Sequence, residues 1–249
     1  KKEFFKFHEV YDKKTKNFYI SKQARKSKKQ NDLFSEIDII SKMNHPSILK
    51  FIGYSIINFK SITSPVMITE YTANGSLNRI FEFEKRNETT SILDDTKKLI
   101  IIYGIASGMS YIHSNDIIHC NLNPSNVFLD EFLFPKIIGF EEAKKTSNDF
   151  DQEELNIIES IDDMDALFEL FNYFDDIELS IYKSPSLYKS IAICPEVDVY
   201  SFAMIVYRLI VGEFLMPDDE LNKDSFVKIY CEGIRPEFTD STPECYVNL

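Results

Sequence analysis

The sequence predicts an α+β fold in two unequal lobes, a small β-rich lobe holding one helix and a larger, mainly helical lobe. Three observations carry that prediction. Short runs rich in aromatic and branched residues dominate the chain as far as Tyr71. A single stripe of helical spacing interrupts them. After the Asn74-Gly75-Ser76 turn the apolar spacing is mainly helical.

Taken in order, residues 4–10 and 17–22 flank the polar run Asp12-Lys13-Lys14-Thr15 and read as a hairpin. Leu33, Ile37, Ile40 and Met43 share one helical face. His45-Pro46 stops that helix, because a residue before proline is pushed out of helical geometry. Residues 48–57 and 66–71 read as strands. Asp94 or Asp95 caps a helix whose apolar face is Leu99, Ile102, Ile105, Met109 and Ile112. Residues 198–215 are apolar almost all round, with Phe202, Ile205, Val206, Leu209 and Ile210, which suits a helix in the middle of a lobe.

Composition narrows the function classes. With 249 residues, 44% apolar and 27% charged, the chain has material for a sizeable core and is neither disordered nor collagenous. Its apolar runs, such as 100–102 and 204–206, are far too short to span a bilayer. No signal peptide is evident at Lys1, and the lack of an initiator Met points to a start further upstream. Cys120, Cys194, Cys231 and Cys245 lie far apart with no CxxC pair, so a reducing, cytoplasmic setting is expected rather than zinc or a disulfide framework. The net charge of −12 argues against nucleic-acid binding, and no membrane partner is expected.

Charge is unevenly spread. Residues 1–30 carry eleven Lys/Arg against three acids, about +8, whereas residues 141–178 carry fourteen acids against Lys144 and Lys145, about −12. The plain reading is two solvated surfaces. A sharper one is that the two segments attract each other, or that either receives a protein partner, for example a kinase or other signalling protein.

Several ordered stretches resemble the eukaryotic protein kinase fold over essentially the whole chain. The tyrosine-kinase-like group is suggested by Asn44-His-Pro-Ser-Ile-Leu-Lys-Phe-Ile-Gly53, by Thr69-Glu-Tyr71 with Asn74-Gly-Ser-Leu77, and by Gly233-Ile-Arg-Pro236. The stretch from Tyr111 through His119-Cys-Asn-Leu-Asn-Pro-Ser-Asn126 to Leu129 resembles the catalytic loop. Lys136-Ile-Ile-Gly-Phe-Glu141 stands where the family has its magnesium-binding Asp-Phe-Gly, and Asp198-Val-Tyr-Ser-Phe-Ala203 opens the central helix. The resemblance implies a two-lobed protein-kinase-like domain. Its small lobe would be 1–70, its hinge 71–73 and its large lobe 74–249, with a long acidic activation-segment-like insert at 141–183 and an incomplete C-terminal end.

Phosphoryl transfer rests on positioning and charge neutralisation, so function turns on which groups survive. The first glycine is Gly53, so Lys2, Glu3, Phe4 and Phe5 occupy the region of the phosphate-covering loop, where side chains keep the backbone from the phosphates. Lys22 resembles the strand lysine and Glu36 its helix partner, a pair that persists for structural reasons as readily as for nucleotide binding. Asn121 stands at the base position, and an amide cannot take the hydroxyl proton. Cys120 and Asn123 replace the loop's arginine and lysine. Asn126 remains at the second magnesium position, where bonding the loop backbone is the expected role. Gly139 replaces the main metal-binding aspartate, with Glu141 or Glu142 as weak metal candidates on a surface expected to be solvated. Phe140 and His119 are expected in the core beneath the cleft.

By the same resemblance Ser184-Pro-Ser186 ends the activation segment without the family's glutamate, and Met164, Leu167, Phe168, Leu170, Phe171 and Phe174 mark a short amphipathic helix inside it. The implied function is a catalytically impaired pseudokinase acting as scaffold or as an allosteric, nucleotide-sensing module in signalling. The alternative is a divergent, active ATP-dependent Ser/Thr protein kinase. ATP is the expected ligand, held weakly or without magnesium by Lys22, Glu36, Thr69, Glu70, Thr72 and Asn126. Magnesium is not expected.

Overall fold

The computed structural model describes residues 5–25, 30–60, 62–86, 92–146, 181–187, 193–212, 233, 235–238, 240, 242 and 244. Its N-terminal part is a four-stranded antiparallel sheet of β1 (Phe5–Asp12), β2 (Asn17–Ala24), β3 (Phe51–Ile57) and β4 (Thr63–Glu70), in the order β1-β2-β4-β3. The first hairpin runs in register from Phe5↔Ala24 to Asp12↔Asn17. Its turn is built by Asp12, whose carboxylate accepts the Lys14 N–H and the Thr15 hydroxyl, with Lys16 left-handed at φ 58.

Helix α1 (Gln30–Ile40) packs Leu33, Ile37 and Ile40 against the sheet. It ends earlier than the spacing predicts. The Lys42 and Met43 N–H groups bond three residues back, to Ile39 and Ile40, so the last turn tightens before His45-Pro46 is reached. The strand predicted from residue 48 also starts late, at Phe51. Residues 47–49 instead pair across to the other lobe: Leu49 N–H donates to the Ile137 carbonyl and Ile137 N–H to that of Ser47.

The larger lobe begins with β5 (Gly75–Ser76) and α2 (Leu77–Lys85), then α3 (Asp95–Ser114), β6 (Ile117–Ile118), β7 (Val127–Leu129), β8 (Pro135–Ile137), β9 (Lys144–Lys145) and α4 (Glu196–Val211). Strands β5, β7 and β8 form one small sheet, β6 and β9 another. Asp94 caps α3, accepting the Lys97 N–H at 2.8 Å. The buried face of α3 runs through Ile101, Gly104, Ile105, Gly108, Met109 and Ile112. Leu99 is half exposed, contrary to the predicted face, because the true stripe passes through two glycines that an apolar count skips. The predicted helix at 164–174 lies outside the described residues, as do 213–215 of the one predicted to end at 215. No helix among the described residues is long and apolar enough to cross a membrane.

The glycines of α3 seat the interlobe stitch. A Cβ on Gly104 would come within 2.3 Å of the Pro135 ring, and one on Gly108 within 2.7 Å of Ile137 Cδ1. A proline ring cannot swing aside. Gly104→Ala is therefore expected to destabilise the fold by about 1–3 kcal/mol through overpacking, despite the ~1 kcal/mol gain in helix propensity. A lower denaturant midpoint at unchanged slope is the expected readout, and an unchanged midpoint would refute the packing argument.

Candidate functional site

The cleft between the lobes is framed by β2, α1 and two loops of the larger lobe. Lys22 on β2 is 5% exposed, and its Nζ donates to Glu36 Oε2 at 2.7 Å and also to Glu141 Oε1. The structure thus brings the predicted pair together and adds a second carboxylate. Glu141 sits in the 3-10 turn Phe140–Glu142, and its side chain is only 17% exposed. The solvated role predicted for it is corrected, because a buried ammonium close by draws the carboxylate inward. Glu142 does lie at the surface, paired with Lys183 at 2.7 Å. The Phe5 ring stands 4.3 Å from the Lys22 ammonium, with Phe7 at 5.9 Å.

The opposite wall is the loop 119–126. Cys120 is left-handed at φ 60, a conformation rare outside glycine, and the buried Asp198 of α4 holds it there. Asp198 accepts the N–H of His119 at 2.8 Å and of Cys120 at 2.9 Å, and bonds His113 Nε2 at 2.9 Å. Sequence reasoning placed Asp198 only as the start of a helix. The His119 ring packs 4.9 Å from that of Phe140, both fully buried as predicted, with Nε2 donating to the Ile138 carbonyl and Nδ1 accepting the Asn121 N–H. Burial, followed by the nearby Asp198 charge, pushes the Cys120 thiol up to about 12, so it stays neutral and is a poor nucleophile.

The loop amides bond to the loop itself. Asn123 Nδ2 donates to the Asn121 carbonyl and side-chain oxygens, and Asn126 Nδ2 to the Asn121 carbonyl at 2.8 Å. Gly139 lies against the Asn126 side chain, and a Cβ there would meet it at 2.5 Å. Gly139 is also left-handed at φ 85. Toward the hinge, Thr69 and Thr72 are buried, and Glu70 accepts the Lys50 N–H at 2.9 Å and pairs with Lys136 at 3.4 Å.

Comparison with known proteins names the scaffold. The family model described as "Protein kinase domain" matches residues 4–244. This chain belongs to the protein kinase family. The kinase domain found here is similar to the dual specificity protein kinase pyk3 of Dictyostelium discoideum, 27% identical over 86% of this chain and 13% of that protein. It is similar to integrin-linked protein kinase 1 of Arabidopsis thaliana, 29% identical over 82% of this chain and 38% of that protein. Cysteine-rich receptor-like protein kinase 25 of the same plant is 31% identical over 72% and 23% respectively. The chain therefore spans well under half the length of these kinases.

Within the kinase frame, Lys22, Glu36 and Glu141 place two carboxylates on one ammonium. Burial works against the Lys22 charge, but Glu36 and Glu141 outweigh it and hold the ammonium above its ordinary pKa. For Glu36, burial and then repulsion from Glu141 push the carboxyl up to about 7, from 4.5. A raised carboxyl contributes stability that is full below its unfolded value and is lost as pH rises through the folded one. This contribution is therefore expected to fade between pH 4.5 and about 7. Replacing Glu141 by Gln removes the second negative charge and should flatten that part of the melting-temperature profile. A profile as steep as the wild type's would refute the assignment.

Proposed function

We propose that this chain is a pseudokinase of the tyrosine-kinase-like group. It would keep the kinase shape without phosphoryl transfer and serve as a scaffold or allosteric module in cytoplasmic signalling. One observation carries the reading: an amide, Asn121, stands at the base position, and the amides of Asn123 and Asn126 donate to it. No carboxylate stands at the base position to orient a substrate hydroxyl.

The metal side supports the same conclusion. Gly139 brings no side chain where the family has its main metal-binding aspartate, and Asn126, which donates its Nδ2 to the Asn121 carbonyl, has only its Oδ1 to offer a metal. Glu141 and Glu142, on either of which the active-kinase alternative relies for metal binding, are held by Lys22 and Lys183. A magnesium-bound triphosphate therefore fits these residues poorly. Interactions aimed at developing charge commonly supply several kcal/mol each in a transition state, and more than one is missing.

On this reading function lies in protein contacts. The hairpin presents exposed Lys6, Lys13, Lys14 and Lys16, while Lys22 of the same basic segment is buried in the cleft. The acidic stretch 141–178 is the other candidate surface, and its part beyond residue 146 lies outside the described residues. Within the described part, Glu141 and Lys22 join the two segments through the cleft, not through surface docking.

Incubation of the purified chain with radiolabelled ATP, magnesium and a Ser/Thr substrate should give no incorporation above a Lys22→Ala control. Asn121→Asp alone should not restore it, since position 139 still lacks a metal-binding carboxylate. Incorporation by the wild type that Lys22→Ala abolishes would overturn the reading.

A further inference from the structure

Lys22 is the cation that would meet a nucleotide's phosphates, and its surroundings already hold what a phosphate would bring. Its ammonium has three protons, and carboxylates receive it on two sides. With all three groups ionised the cluster carries one excess negative charge. The Phe5 ring lies over the same ammonium at 4.3 Å. An incoming phosphate would have to dislodge Glu141 and Phe5 while adding negative charge to a buried cluster whose carboxylates already meet the ammonium. The side-chain exposures of Lys22, Glu36 and Glu141 are 6%, 1% and 17%, so screening by water is weak there.

We infer that Glu141 is a resident anion occupying the phosphate site on Lys22, so that the cleft rejects nucleoside di- and triphosphates. The inference deepens the non-catalytic reading and rests on it. It replaces the expectation of weak, magnesium-independent ATP binding with exclusion of the triphosphate.

Removing the resident anion should open the site. In magnesium-free calorimetry, Glu141→Gln is expected to bind ATP at least ~10-fold more tightly than the wild type, a difference of about 1.4 kcal/mol. Adding Lys22→Met to that variant should abolish the gain. Phe5→Ala, which leaves both ion pairs in place, is expected to gain less, and it decides the matter should Glu141→Gln lose its cooperative unfolding. ATP binding by the wild type as tight as that of Glu141→Gln overturns the inference. So does the absence of a gain in every variant that folds. Phosphate transfer by the wild type would sink the non-catalytic reading, whereas unchanged ATP affinity sinks only this inference.

Discussion

A buried carboxylate is tolerated only when donors meet it, and the carboxylate of Asp198 meets three from two other elements. That junction ties α4 to the end of α3 and to the loop 119–126. The left-handed turn at Cys120 costs on the order of 1 kcal/mol, and the charge-assisted bonds to its own N–H and its neighbour's offset that cost. The rest of the loop follows. With its backbone fixed, the His119 ring is placed between Phe140 and the Ile138 carbonyl, and its other nitrogen receives the Asn121 N–H. The shape of the loop is thus set by residues that stand outside the positions of phosphate chemistry. Base and metal positions can change identity without the loop losing its form.

The second junction works by charge. Lys22, Glu36 and Glu141 come from β2, α1 and the turn after Gly139, so their ion pairs fix the helix against the sheet and against the larger lobe. Burying three charges costs several kcal/mol of desolvation per ion, which such pairs roughly recover, so the net gain in stability is small. What the cluster supplies is geometry. It holds α1 in place with the chain's own groups.

Much of this was legible from sequence where the signal is local or carried by an ordered motif. The Asp12 turn and the Asp94 cap follow from residue type and spacing, and the Lys22–Glu36 pair and the buried His119 and Phe140 from the resemblance to the kinase family. The misreadings share a cause, which is that the deciding partner is distant in sequence. Gly104 and Gly108 carry no hydrophobic signal, yet they mark the inner face of α3 because Pro135 and Ile137 press into them. Glu141 stands in an acidic stretch and reads as solvated until Lys22, 119 positions earlier, is brought beside it. Residues 48 and 49 look like strand and are extended, but they pair across the lobes.

The departures from the kinase pattern also fit one another. An aspartate at 139 would strain a left-handed backbone and collide with Asn126, whose amide is turned toward Asn121. Glu141 can lie on Lys22 only if no phosphate claims the same ammonium, and Phe5 can lie over it only if no glycine loop must close there. Reverting any one position leaves the others opposed to it. The cleft is therefore a self-consistent packing in its own right, in which Lys22, Glu36 and Glu141 hold the lobes together.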